Sequence, residues 1–291
     1  MEREIAKFGY NKGKLFALME LGRPWNAGIL GLFAIVGFLL TKNAIGINVI
    51  YAFFSFVFLY LAGTTVNDIF GLETDKINIS VRPLPSGRVT LKEAWMFSLF
   101  FYALGLLVAY FIGFYFMFWA LAFCILSFLY SMKPISLDSR WYSKSLVLAI
   151  VTVFIPLNGG ASIISGKIVQ DMAINYIGLG LSAFFLFVAT TNDLKDMKGD
   201  AKTGKKTLAL LLGEKRTLQI SALGVSIFFL ITNYLLLNYI KYALIFIAFC
   251  IAIWAILIRR YFITENNEMK FTKARFTVLA YILGLIMALL I

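Results

Sequence analysis

The chain of 291 residues has no histidine, two cysteines, five prolines and little charge, with 14% of its residues charged against 61% hydrophobic. Each shortage excludes something. Without histidine there is no imidazole base, no Ser-His nucleophile pair and no histidine metal site, so any chemistry falls to carboxylates, amides, lysine and tyrosine. Cys124 and Cys250 both lie inside apolar runs and read as packing residues, so no disulfide framework is expected. A charged fraction far below about a quarter is foreign to soluble domains. No hydrophilic stretch is long enough to form a separate one.

What the sequence has in abundance is long apolar runs. Nine of them, approximately 25–41, 46–66, 94–112, 114–132, 145–165, 173–191, 217–238, 242–258 and 274–291, are long enough to cross a hydrocarbon layer of about 30 Å as helix. The expected fold class is all-α, a polytopic membrane protein built as a bundle of nine transmembrane helices. The first run follows polar-leaning residues and shows no small-residue cleavage site after it, so it reads as a span and not as a signal peptide.

The basic residues orient this bundle. With the N-terminus cytoplasmic, nine spans leave only Lys42, Lys167 and Lys241 on the far side, and every other Lys or Arg falls on the cytoplasmic side. That asymmetry is what the positive-inside rule demands, and it places the C-terminus across the membrane. The net charge of +12 sits in short loops at membrane ends. Anionic lipid head groups and anionic substrates are therefore the expected partners, and nucleic acid is not, since no aromatic residues interleave with the cations to stack bases.

Two acidic clusters break the pattern. "TTVNDIFGLETD" ends the second run and "TTNDLKDMKGD" ends the sixth, which this topology places on the same side. At 100° per residue, Asn67, Asp68, Gly71 and Asp75 fall within an arc of about 100°, and Asn192, Asp193, Asp196 and Asp200 do so at identical offsets. Glu73 points elsewhere. Carboxylates stacked on one helix face repel unless a cation lies between them, and oxygen-only ligands favour a hard ion such as Mg²⁺. Mg²⁺ commonly joins protein carboxylates to substrate phosphates, so a bound diphosphate is the natural third party. The flanking Arg82, Arg88, Lys195, Lys198, Lys202, Lys205 and Lys206 suit that anion.

These segments resemble the UbiA superfamily of intramembrane prenyltransferases over essentially the whole chain. The first family motif reads here "NDIFGLETD" followed by "RPLPSGR" (Arg82 to Arg88), with Gly71 standing where the family normally has its middle aspartate. The second reads "DMKGD" (Asp196 to Asp200) followed by "KTLALLLG", and "LYSMKP" (Leu129 to Pro134) matches the family's Tyr-Ser element. The resemblance implies a single prenyltransferase domain over 1–291, with a central cavity open to the cytoplasmic side and to lipid. It implies Mg-assisted transfer of an isoprenyl chain from a polyprenyl diphosphate, such as geranylgeranyl diphosphate, to a lipid or aromatic acceptor. Asn67, Asp68, Asp75, Asn192, Asp196 and Asp200 would hold two Mg²⁺ ions and, with Tyr130, form the catalytic set. Arg23, Asn26, Arg82, Arg88, Ser131, Lys144, Lys195 and Lys198 would bind the diphosphate.

For the acceptor, "RPWN" (Arg23 to Asn26) looks like archaeal family members that add a second geranylgeranyl chain to geranylgeranylglyceryl phosphate, the first expectation here. The "NDLKDMKGD" wording and the Tyr-Ser element look like the chlorophyll-synthase branch, leaving an aromatic acceptor (hydroxybenzoate, a quinone precursor or a tetrapyrrole ester) as the alternative. A cation transporter would place acids near the midplane, but the spans are nearly free of acids.

Overall fold

A computed structural model describes residues 13–41, 46–78, 82–263 and 267–291. It is helical throughout: α1 (Lys14–Gly22), α2 (Pro24–Leu39), α3 (Ile47–Phe70), α4 (Leu72–Asn78), α5 (Leu91–Ile112), α6 (Phe114–Ser131), α7 (Trp141–Ala149), α8 (Ile155–Ser165), α9 (Met172–Ala189), α10 (Asn192–Lys202), α11 (Leu208–Leu236), α12 (Ala243–Ile263) and α13 (Asn267–Leu290). Among the described residues seven helices are long and apolar enough to cross a membrane, or eight if α1 and α2, bent by 44°, count as one span. The count of nine is not confirmed among the described residues, where the apolar part of the last helix, Phe276–Leu290, is shorter than a full crossing.

Close backbone approach holds the first span to the fifth. A Cβ on Gly37 of α2 would lie 1.8 Å from the Leu157 carbonyl oxygen, and one on Gly160 of α8 would lie 1.9 Å from that of Ala34. Lipid offers no hydrophobic drive for helices to associate, so small residues that let two backbones touch are a main source of packing energy. Successive faces of α2 serve two cores: Ile29, Phe33 and Val36 pack with residues of α8, α9, α11 and α13, while Leu30 and Ala34 pack with Phe56, Phe116 and Phe123 of α3 and α6. α5 is peripheral, and Leu99, Phe100, Leu107 and Phe111 project outward as lipid would require.

Three local distortions shape the end of the bundle where the charges gather. Pro24 disfavours right-handed helical geometry at the residue before it, and Arg23 takes a left-handed conformation (φ 54°, ψ 62°) that bends α1 away from α2. Gly71 interrupts the second span: α3 ends at Phe70 and α4 begins at Leu72, so Asp75 lies beyond a break and not on one continuous helix with Asn67. Glycine is the weakest helix former after proline, which is why the helix fails there. The second cluster has no such break, since Asn192 to Asp200 all lie within α10. In the fifth span, Pro156 lacks the N–H that would bond to Thr152, and the preceding turn, Ile150–Phe154, opens into a π-helix.

Candidate active site

Alternating helix directions bring the start of α2, the end of α3, the end of α6, the start of α7 and the end of α9 to one end of the bundle. A cavity of about 400 Å³ opens among them. Its charged lining comprises Arg23, Arg82, Lys144 and Lys205 with Asp75, Asp138, Asp193, Asp196 and Asp200. One or two turns further into the bundle, the same helices contribute Ile29, Phe123, Leu148, Val151, Phe185 and Val188 to its wall. The cavity is thus ionic at one end and apolar at the other.

One wall is built on the first cluster. The α1–α2 bend directs the Arg23 guanidinium to the Asp68 carboxylate. Thr64 Oγ1 donates to the Gly22 carbonyl at 3.0 Å, tying α3 to the same bend. Arg82 Nη1 lies 2.7 Å from Asp75 Oδ2 and 3.7 Å from Asp68 Oδ1. Asn67 Nδ2 donates to Ser131 Oγ at 3.0 Å, linking the end of α3 to the end of α6 beside Tyr130.

The opposite wall is built on the second cluster. Lys144 Nζ lies 2.8 Å from Asp193 Oδ1 and 3.3 Å from Asp200 Oδ2. Burial pushes the Asp193 carboxyl above its ordinary range, against the pull of the Lys144 ammonium. Asp200 is raised by the same cause, with Lys144 and Lys205 opposing it. Lys205 pairs with Asp138 in the turn before α7, and the Lys206 N–H donates to the Ser139 carbonyl at 3.0 Å, fastening the segment after α10 to that turn. α4 packs on α10, where Thr74 and Thr203 hydroxyls meet at 3.4 Å.

Of the residues expected from sequence, Arg23, Asn26, Asn67, Asp75, Arg82, Tyr130, Lys144, Asp196 and Asp200 line this cavity. Asp68 stands behind it, held by the two arginines, and buried Ser131 reaches it only through Asn67. Arg88 is not brought to it. Its guanidinium makes a two-pronged pair with Glu20 at 2.8 and 3.0 Å. The side chains of Asn192, Lys195 and Lys198 lie outside the described residues, although their backbone belongs to α10. Sequence reasoning passed over Asp138, Thr74 and Tyr60, which the cavity includes. A lone acid in the short basic loop 133–144 was the one available signal for Asp138.

The donors suit a hard cation, since every candidate is a carboxylate or amide oxygen. Among the described residues no three acidic side chains converge to cage an ion unaided. Mg²⁺ is typically held by one or two carboxylates and completes its shell with phosphate oxygens and water. Carboxylates spread over two facing walls match that mode of binding.

In a polytopic helical protein, a cavity that is ionic at one end and apolar at the other has the two-part character of an amphiphile. The family described as the UbiA prenyltransferase family matches residues 30–289, and the chain belongs to it. It is accordingly a membrane prenyltransferase, an enzyme that transfers alkyl groups. The chain is 32% identical over 205 residues to the digeranylgeranylglyceryl phosphate synthase of Pyrococcus horikoshii, covering 69% of this chain and 70% of that protein. A comparable relative from Thermococcus kodakarensis is 32% identical over 215 residues, covering 71% and 73%. Among solved structures, a UbiA homologue from Archaeoglobus fulgidus bound to GPP and Mg²⁺ superposes with a TM-score of 0.71 at 21% identity, covering 94% of this chain and all of that one.

Proposed function

We propose that this enzyme transfers a geranylgeranyl chain from its diphosphate to geranylgeranylglyceryl phosphate, with the reaction facing the cytoplasm. The observation that carries this reading is the cavity itself, in which the facing acidic walls and four cations open onto an apolar chamber. The archaeal relatives named for this reaction support the acceptor. The concentration of basic residues on one side supports the orientation. The diphosphate bound by the Archaeoglobus fulgidus homologue supports the donor class.

In this mechanism the bond between the allylic carbon and the diphosphate oxygen breaks, and the electron pair leaves with the diphosphate. The glyceryl hydroxyl oxygen then forms the new C–O bond and passes its proton to the released diphosphate. Asp75, Asp196 and Asp200, with Asn67 and Asn192, would hold Mg²⁺, which when bound neutralises charge developing on the leaving group. Arg23, Arg82 and Lys144 receive the diphosphate through charge-assisted hydrogen bonds. Tyr130, at the junction of ionic and apolar regions, presents an electron-rich ring to the allylic cation. Phe123, Val151 and Phe185 keep water from that cation along the chamber wall. No general base is required for ionisation, which fits a chain without histidine.

The test is to incubate purified protein and Mg²⁺ with labelled geranylgeranyl diphosphate and, separately, geranylgeranylglyceryl phosphate, hydroxybenzoate and a quinone precursor. Mass spectrometry should show a doubly geranylgeranylated glyceryl phosphate. Prenylation of an aromatic acceptor alone would overturn the assignment.

A further inference from the structure

Each acidic cluster carries an aspartate immediately after its asparagine: Asp68 after Asn67, and Asp193 after Asn192. Both are buried, at 3% exposure. Each takes a cation delivered by a different helix, Arg23 from the start of α2 for Asp68 and Lys144 from α7 for Asp193. Arg23 adopts a left-handed backbone conformation, which is strained for a non-glycine residue and persists where surrounding structure demands it. Asp68 contributes nothing to the cavity lining, whereas Asp75 and Asp196 do; Asp193 reaches the lining, but its Oδ1 is taken up by the Lys144 ammonium at 2.8 Å.

The two aspartates hold the same place in their sequence segments, one in each wall of the site. A guanidinium and an ammonium on flexible stems would each lose side-chain freedom on gripping an anion. A buried carboxylate paired with each one fixes it in advance. Lys144 shows the consequence most plainly, because it lies between Asp193 at 2.8 Å and Asp200 at 3.3 Å. If Asp200 turns to an ion, Asp193 still holds the ammonium.

We infer that Asp68 and Asp193 are positioning residues that fix Arg23 and Lys144 for the diphosphate, and are not ligands of the divalent ion. This deepens the function proposed above and rests on it.

The experiment compares purified Asp68→Asn, Asp193→Asn and Asp196→Asn with the parent enzyme. Mn²⁺ binding is followed by electron paramagnetic resonance, KM and kcat are measured for geranylgeranyl diphosphate, and folding is checked by melting temperature. The expected result is that Asp68→Asn and Asp193→Asn bind Mn²⁺ within about threefold of the parent. Their KM rises about tenfold or more, the size of one charge-assisted hydrogen bond. The double variant Lys144→Met with Asp193→Asn should have the KM of Lys144→Met alone, because both changes remove the same anchored cation. Loss of Mn²⁺ binding in Asp68→Asn or Asp193→Asn to the level of Asp196→Asn would show them to be ligands and overturn the inference. So would a fall in kcat at unchanged KM, which marks lost active fraction. If Asp196→Asn keeps its Mn²⁺, the metal site proposed above is wrong, while the KM values at Asp68 and Asp193 still judge the cation anchors. Should Asp68→Asn fail to fold, Asp193→Asn and the double variant decide the matter.

Discussion

The Lys144 ammonium lies 2.8 Å from the Asp193 carboxylate, joining the start of the fifth span to the helix that carries the second acidic cluster. Neither charge is far from the lipid-buried part of the protein, and each makes the other tolerable there.

A pH dependence follows from that pairing. Burial raises the carboxyl groups of Asp193 and Asp200 in the folded protein above their unfolded value, despite Lys144. An acid of this kind adds stability below its unfolded pKa, and that contribution disappears as pH rises through its folded pKa. Activity needs the ionised forms and runs the other way. The acid limb of kcat/KM at subsaturating Mg²⁺ should therefore lie above the ordinary carboxylate range, and Lys144→Met should move it higher. A limb unmoved by Lys144→Met would contradict this.

Asp196→Ala and Asp200→Ala each remove an oxygen donor from the wall facing Asp75. Turnover should fall by about 10²–10³-fold, as when one preorganised electrostatic contact is lost from an active site. Melting temperature should change little for Asp196→Ala. Prenyl transfer measured alongside circular dichroism separates lost chemistry from lost fold.

Chelation should stop turnover, and added Mg²⁺ should restore it. Hard-ion selectivity is the sharper check, because an all-oxygen site should accept Mn²⁺ and discriminate against softer ions. Activity that survives exhaustive chelation would exclude the proposed chemistry.

Arg82 bridges the break at Gly71 by facing both Asp68 and Asp75. Arg82→Gln leaves those two carboxylates without that cation, so KM for the diphosphate should rise about tenfold. Lysine should restore little of it, since a single point charge does not reproduce the guanidinium fork. Steady-state kinetics on the two variants measures the difference.

Gly160→Ala tests the contact between α2 and α8. The added Cβ would sit 1.9 Å from the Ala34 carbonyl oxygen, so the helices must part. A cost of about 1–3 kcal/mol is expected. It should appear as a lower melting temperature in detergent, with KM of the remaining folded enzyme unchanged.

Much of this was legible in the sequence, for reasons of locality. Apolar runs mark helices in lipid whatever they pack against, and the Asn-Asp starts after Thr64-Thr65 and Thr190-Thr191 stand out because acids are so rare around them. The backbone of the second segment, Asn192 to Asp200, forms the single unbroken helix α10 that the spacing of its acids expected. The matching arc of the first cluster was only partly right, since the helix breaks at Gly71 and Asp75 is placed by α4. Arg88 looked like a diphosphate ligand from its place in "RPLPSGR" but is engaged by Glu20 of α1.

The sequence by itself determined that this is a multi-helix membrane protein with two acidic segments, because composition and helical period act within a few turns of chain. Only the tertiary structure decided which carboxylates line the cavity and which cation each one meets. Nothing near Asp68 in the sequence announces that it will be buried between two arginines while Asp75 lines the cavity. Both meet Arg82, and what separates them is Arg23, which the bend between α1 and α2 brings from elsewhere in the chain to Asp68 alone.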